Sequence, residues 1–187
     1  NGLNTLLLNA GTYSVTEDQE NEDGYVTTYD NCTNITIANG ETKTCTITND
    51  DQQSYVIVDK SVEDNSAGGT AQPNDFNLTV NGNAALDGVK VPVNPGTHTV
   101  GETTLPGYQA SSWGGDCSKD AQVTVALGET KTCTITNTAI APKLTLKKYV
   151  VNNNSGENNS SDWILTAAPE DDAYATISGN GDYEDEG

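Results

Sequence analysis

Three polar side chains of different chemistry, a lysine, a glutamate and an asparagine, are predicted to point into an apolar core. Side chains alternate between the two faces of a strand, so Lys60 shares its face with the valines around it. The same alternation puts Glu102 with Val100 and Asn137 with Ile135. Unpaired polar groups in a core are costly, which favours an arrangement in which the three side chains meet.

Such a meeting would allow an amide bond to form between two side chains. An apolar site lowers the pKa of a lysine and frees its amine to attack the carboxamide of Asn137. Glu102 would carry the proton as ammonia leaves. Lys60, Glu102 and Asn137 are therefore a candidate autocatalytic isopeptide trio. The alternative is that all three lie at strand ends and turn outward to water.

An internal repeat organises the sequence around these residues. Residues 40–49 (GETKTCTITN) recur without change as residues 128–137. Three weaker matches have nearly the same offset: 11–17 with 96–102, 55–60 with 143–148, and 75–80 with 162–167. The repeat predicts three segments: a C-terminal half-unit at 1–51, a complete unit at 52–140, and an N-terminal half-unit at 141–187.

The composition of these segments is typical of strands. Thr, Val, Ile and Tyr form short alternating runs, separated by loops rich in Gly, Asn, Asp and Pro. The sequence therefore predicts an all-β fold of tandem β-sandwiches, one complete and two partial. In the complete unit we expect strands at 55–62, 75–80, 88–93, 97–103, 121–127 and 130–137.

The two half-units carry a second set of the same residue types. Lys148 corresponds to Lys60, while Glu17 and Asn49 correspond to Glu102 and Asn137. These three could form a second isopeptide trio if the terminal halves of two molecules paired head to tail. Alternatively, the complementary halves belong to parts of a longer protein outside this segment. The sequence contains no Met, and we expect it to be an internal segment.

The four cysteines form one pair in each of two units, Cys32 with Cys45 and Cys117 with Cys133. A metal site would need closer ligand spacing and histidine partners, so we expect disulfides rather than a metal centre or free thiols. Disulfides persist in oxidising compartments, which predicts an extracellular or cell-surface location.

Charge and composition exclude several function classes. The chain has 8 Lys and Arg against 27 Asp and Glu, a net charge of −19, which excludes a nucleic-acid-binding face. No apolar run approaches the ~20 residues of a membrane span. The single histidine, His98, aligns with Tyr13 and is expected to fill a strand position. We therefore expect neither an enzyme with a substrate nor a cofactor.

A known signature resembles the segments that carry the glutamates. Residues 13–17 with the later Gly24-Tyr25, and residues 98–108, resemble the glutamate-bearing box of CnaB-type domains, also called SpaA-like or prealbumin-like domains. The resemblance implies a prealbumin-like β-sandwich of a bacterial surface protein. It also implies the isopeptide roles of Lys60, Glu102 and Asn137.

Two functions remain open at this stage. The first is a structural stalk or spacer of an adhesin-like surface protein, whose partners are neighbouring repeats of the same protein. The alternative is an extracellular module that binds Ca²⁺, a glycan or a host protein through the acidic loops at residues 17–23 and 63–65.

Overall fold

The computed structural model describes residues 2–18, 23–64, 67–170 and 175–180, and it is all-β as predicted. Fifteen strands and two single-turn 3-10 helices lie in these ranges. The chain divides into two compact units, Asn1–Ala141 and Pro142–Gly187, which are described in turn. No helix in the described ranges has the length and apolarity needed to cross a membrane.

Residues 2–51 of the first unit form two antiparallel strand pairs. The strands are β1 (Gly11–Tyr13), β2 (Tyr25–Asp30), β3 (Ile35–Ile37) and β4 (Thr46–Asp51). β1 pairs with β3, and β2 pairs with β4. Many apolar side chains of this segment face solvent, among them Leu6, Leu7, Leu8, Val15 and Val26.

The rest of the first unit is a two-sheet sandwich. Its strands are β5 (Ser54–Glu63), β6 (Asn77–Val80), β7 (Asn83–Ala85), β8 (Val91–Val93), β9 (Gly96–Thr103), β10 (Tyr108–Ala110), β11 (Gly114–Gly115), β12 (Gln122–Val125) and β13 (Thr130–Ala139). One sheet has the order β10-β13-β5-β8, with β11 also paired to β13. The other has the order β12-β9-β6-β7. β5 and β13 run parallel, and the other pairs are antiparallel.

All six strands expected in this sandwich are present, with altered ends. β6 begins two residues later than expected because Pro73–Asp75 form a 3-10 turn, in which the Asp75 carboxylate accepts from the backbone N–H of Gln72. β7, β10 and β11 were not predicted. They are two or three residues long, too short for an alternating pattern to be visible in the sequence.

The core of the sandwich is filled mainly by β-branched side chains from both sheets. It comprises Val56, Val58, Leu78, Val80, Val93, Val100, Cys117, Val123, Val125 and Cys133. Alternation along β5 and β13 aims every second side chain at this core. Three polar residues share the buried layer: Ser54, Lys60 and Asn137.

The second unit contains a 3-10 turn at Ser160–Asp162 followed by β14 (Ile164–Ala167), which pairs with β15 (Ile177–Asn180). Residues 142–152, which include the match to β5, form no strand. Leu144, Tyr149 and Val151 are largely exposed there.

Candidate functional site

Lys60 lies on β5, opposite Ile135 of β13 and beyond the end of β8, which pairs only with the first three residues of β5. Its side chain is fully shielded from solvent, and its amine lies 4.4 Å from the centre of the Phe76 ring. The amine donates to the carbonyl oxygen of Ser61 at 3.0 Å, and the backbone N–H donates to Asp87 Oδ1 at 2.7 Å. The lysine is thus fixed by its strand and by a neighbouring loop.

Glu102 reaches the lysine from the opposite sheet. It lies near the end of β9, opposite Leu78 of β6, and its side chain is 3% exposed. One carboxylate oxygen, Oε2, lies 3.2 Å from Lys60 Nζ. The other, Oε1, accepts a hydrogen bond of 2.6 Å from Asn137 Nδ2. The carboxylate therefore connects the amine with the carboxamide across the sandwich.

Asn137 occupies the strand next to Lys60. β13 runs parallel to β5 with Ile135 opposite Lys60, so Asn137 is the next residue on the same face. The side chain is completely buried, and within the described part of the chain its Oδ1 has no hydrogen-bond partner. A buried carbonyl oxygen without a donor is unusual in a folded protein and costs free energy.

Burial also affects the protonation of the lysine. Removal from water lowers the pKa of Lys60, because the low-dielectric core disfavours the ammonium form. The hydrogen bond and charge of Glu102, with the charge of Asp87, oppose this shift without cancelling it. The neutral, nucleophilic amine is thus more populated than in an exposed lysine.

The structure therefore brings the first predicted trio together in one dry cluster. A nucleophilic amine, a carboxyl group able to relay a proton, and a carboxamide share this space. The arrangement can support condensation of the amine with the carboxamide, since Glu102 touches both the entering and the leaving nitrogen.

Sequence reasoning missed two supporting residues. Asp87 anchors the backbone of Lys60 from the loop after β7, and no repeated pattern in the sequence marks it. Tyr108 packs edge-on against Phe76 with ring centroids 5.6 Å apart, and its hydroxyl accepts from the backbone N–H of Ala71. The Phe76 position had a signal, because an aromatic residue, Trp163, recurs there in the next repeat.

The second predicted trio lies in two separate units. Asn49 Nδ2 donates to both carboxylate oxygens of Glu17, at 3.2 and 3.1 Å, in an exposed position of the first unit. In the second unit, Lys148 Nζ lies 4.8 Å from the centre of the Trp163 ring. Each half thus reproduces part of the geometry of the buried trio.

Both predicted disulfides are confirmed. Cys32 is bonded to Cys45 and Cys117 to Cys133, so no cysteine is free. Cys32 lies in the loop before β3 and Cys117 in the loop before β12, while Cys45 lies just before β4 and Cys133 within β13. Cys133 lies in the sandwich core.

The remaining candidate groups are His98 and the two acidic loops. His98 Nε2 forms a hydrogen bond of 2.7 Å with the carbonyl oxygen of Asn94. The hydroxyl of Tyr13 donates in the same way to the carbonyl oxygen of Asn9, at 2.8 Å. The two rings therefore fill equivalent positions. Of the acidic loops, residues 19–22 and 65 lie outside the described residues. Elsewhere in the described ranges, no group of three or more potential ligands could hold a metal ion.

The family model of the SpaA-type prealbumin-like fold domain matches residues 51–135 and 140–186. No curated protein matches the chain, and no solved structure does. The first matched range runs from the start of the sandwich into β13 and contains both Lys60 and Glu102, whereas Asn137 follows it by two residues.

Proposed function

The chain belongs to the family of SpaA-type prealbumin-like fold domains, and from this premise we propose that it is a spacer in the stalk of a bacterial cell-surface protein. Membership of this family suggests a structural module of a surface protein, and the two disulfides fit an extracellular location. In this role the module holds other parts of its protein away from the cell and turns over no substrate.

The observation that carries the proposal is the pairing of the first and last strands of the sandwich. β5 and β13 lie side by side and parallel, in continuous register from Tyr55 opposite Thr130 to Glu63 opposite Thr138. Tension enters at the start of β5 and leaves at the end of β13. Because the strands are parallel, that tension shears the whole ladder at once rather than opening it one pair at a time.

An amide between Lys60 and Asn137 would join these same two strands covalently. Neutral Lys60 Nζ attacks Cγ of Asn137, and the new C–N bond forms as the bond to Nδ2 breaks. The proton lost by Nζ passes through Glu102 to the leaving Nδ2, which departs as ammonia. The buried, connected geometry of the three side chains supports this step.

The junction between segments supports a spacer of successive sandwiches. Only two residues separate β4 from β5, and the N–H of Gln52 donates to the carbonyl of Gly24 at 2.7 Å. The same bond recurs after β13, from Ile140 to Gly107 at 2.8 Å. A short, hydrogen-bonded junction restricts bending between modules.

We propose the same tandem organisation that the repeat predicts. Residues 52–140 are the complete sandwich, residues 1–51 the C-terminal half of one repeat, and residues 141–187 the N-terminal half of another. Neighbouring repeats of the same protein are then the partners of this module.

Single-molecule pulling on the full chain tests the proposal. We expect the wild-type chain to release no extension from the residues between Lys60 and Asn137, because the amide carries the load past them. Lys60→Ala should unfold in an additional step, whereas the matched control Lys131→Ala, at a partly exposed ion pair, should behave like the wild type. Equal extension from the wild type and Lys60→Ala would contradict the proposed mechanism.

A further inference from the structure

The edge of β5 that faces away from β13 is covered in two different ways. The N–H of Tyr55 donates to the carbonyl oxygen of Glu129, just before β13, so by alternation the backbone groups of Lys60 point to the opposite edge. β8 covers that edge only from Ser54 to Val56. The backbone N–H of Lys60 therefore lies beyond the last strand pair of this edge.

The turn between β7 and β8 completes the edge. The register of β8 on β5, continued along β5, brings Asp87 opposite Lys60. The backbone does not follow as a strand, because residues 86–89 form a turn in which Gly88 has a φ of +68°. Gly88 N–H still donates to the carbonyl oxygen of Val58 at 2.9 Å. Asp87 Oδ1 accepts from the N–H of Lys60 at 2.7 Å, so a side-chain carboxylate stands where the backbone carbonyl of a partner strand would be.

This hydrogen bond matters because of where its donor lies. Lys60 is buried, and a buried backbone N–H without an acceptor costs free energy. Without Asp87, β5 would be held on one edge only at the residue whose amine must react. That amine lies 3.2 Å from Glu102 Oε2, and reacting groups need to be within about 3–3.5 Å of each other. A small shift of the backbone would therefore separate the amine from Glu102.

Asp87 also adds its charge to the site. Burial lowers the pKa of Lys60, and the hydrogen bond and charge of Glu102, with the charge of Asp87, oppose this shift. An asparagine at position 87 would keep the acceptor oxygen and remove one opposing charge. The neutral fraction of the amine would then increase. Position and charge can thus be separated at this residue.

We propose that Asp87 is a positioning residue of the condensation, whose carboxylate holds the backbone of Lys60 where the amine meets Glu102 and Asn137. The inference rests on the proposed amide between Lys60 and Asn137. Asp87 holds the attacking residue, while Lys60 Nζ forms the new bond to Asn137 Cγ. The proton passes through Glu102 to Nδ2, which departs as ammonia.

Asp116 provides a matched control in the same sandwich. Its Oδ2 accepts from the backbone N–H of Thr132 on β13, also at 2.7 Å. The bond has the same type and length as that of Asp87, but Thr132 is not one of the reacting residues. Asp116→Ala thus removes an equivalent bond without touching Lys60.

The rate of ammonia loss in newly made protein tests the proposal. The full chain is made by cell-free synthesis under oxidising conditions, translation is stopped, and aliquots are quenched in acid for intact mass measurement. Resistance to thermolysin in parallel aliquots gives the folded fraction, so the rate is expressed per folded chain. Asp87→Ala should react up to about 100-fold more slowly than the wild type, because the amine is misplaced. Asp87→Asn should react at least as fast as the wild type, and Asp116→Ala at the wild-type rate.

Equal rates per folded chain in Asp87→Ala and the wild type overturn the proposal. So does an Asp87→Asn variant that is as slow as Asp87→Ala, because its side-chain oxygen can accept the same bond. A wild-type chain that never loses ammonia overturns the proposed amide together with this inference. The two failures are distinguishable, because the first leaves the ammonia loss of the wild type intact.

Discussion

At the scale of single residues, Glu102 performs two tasks with its two oxygens. One faces the amine of Lys60 and the other accepts from the carboxamide of Asn137, in a space that water does not reach. A second ion pair in the same sandwich, Lys131 with Glu129 at 2.8 Å, is shorter but partly exposed. Burial, rather than the distance between the charged atoms, therefore decides how much the loss of one partner changes the stability of the fold.

We predict that Glu102→Gln strongly destabilises the sandwich. The change removes the proton relay and leaves the Lys60 amine in the core without its carboxylate. Loss of one partner of a buried pair costs about 3–5 kcal/mol. Glu129→Gln, the matched change in the partly exposed pair, should change the free energy of unfolding little. Denaturant unfolding of both variants measures the difference, and equal effects would contradict the importance of burial.

A second prediction concerns pH in a variant that cannot form the amide. In Asn137→Ala the Lys60 amine stays free, and burial holds its pKa below that of an unfolded lysine. Between these two pKa values the unfolded state binds more protons than the folded state, so stability rises as pH rises. That stability is fully present above the pKa that Lys60 has in the unfolded chain. It is lost as the pH falls through the lower pKa that Lys60 has in the folded chain.

Unfolding measured from neutral pH to the ordinary lysine range reads this slope. The double variant Asn137→Ala/Lys60→Met lacks the titrating amine and corrects for all other groups. The part of the slope that comes from Lys60 should be absent from the double variant. An identical pH profile in both would show that Lys60 is not the group responsible.

At the scale of elements, alternation of side chains was sufficient to place the trio. The phase of Lys60 along β5 and of Asn137 along β13 could be read from neighbouring valine and isoleucine residues, because a strand has a period of two. The pairing of Cys117 with Cys133 could be inferred from the repeat. The first depends on local sequence, and the second on a comparison of the two copies of the repeat.

The sheet order and the supporting contacts could not be read in the same way. That β5 inserts between β13 and β8 depends on partners far apart in sequence. The Asp87 contact depends on a loop conformation that no periodic pattern encodes. The half-units show this limit most clearly, since residues 143–151 have the composition of β5 but form no strand when its partner strands are not within the same segment.

We predict that Gly24→Ala loosens the junction between β4 and β5. Gly24 has φ of +79°, and a Cβ there would lie 2.6 Å from the carbonyl oxygen of Leu127. Gly40→Ala is a matched control, with φ of +78° and no atom within 4 Å of the added Cβ. Both changes strain the backbone, but only the first disturbs the junction.

Energy transfer between dyes on non-canonical residues at positions 42 and 86 reports this motion. The distance distribution should broaden in Gly24→Ala and keep its wild-type width in Gly40→Ala. A distance distribution of the same width in both variants would contradict the role of this packing in restricting bending.

At the scale of the whole molecule, the net charge of −19 makes the carboxylates of the folded chain repel one another. We predict that the free energy of unfolding rises as NaCl is raised, because screening shortens the range of this repulsion from about 8 Å at physiological ionic strength to about 3 Å at 1 M. Unfolding in urea over a salt series measures it. A free energy of unfolding that falls as salt is added would contradict this electrostatic account.

The intact mass of the folded, purified chain tests the central claim, the amide between Lys60 and Asn137, most directly. The account predicts the sequence mass less the hydrogens lost to two disulfides and less one molecule of ammonia. Digestion should then yield one peptide pair joined through Lys60 and Asn137, and Lys60→Ala should retain the ammonia. A wild-type mass explained by the two disulfides alone, with Lys60 and Asn137 recovered on separate peptides, would contradict it.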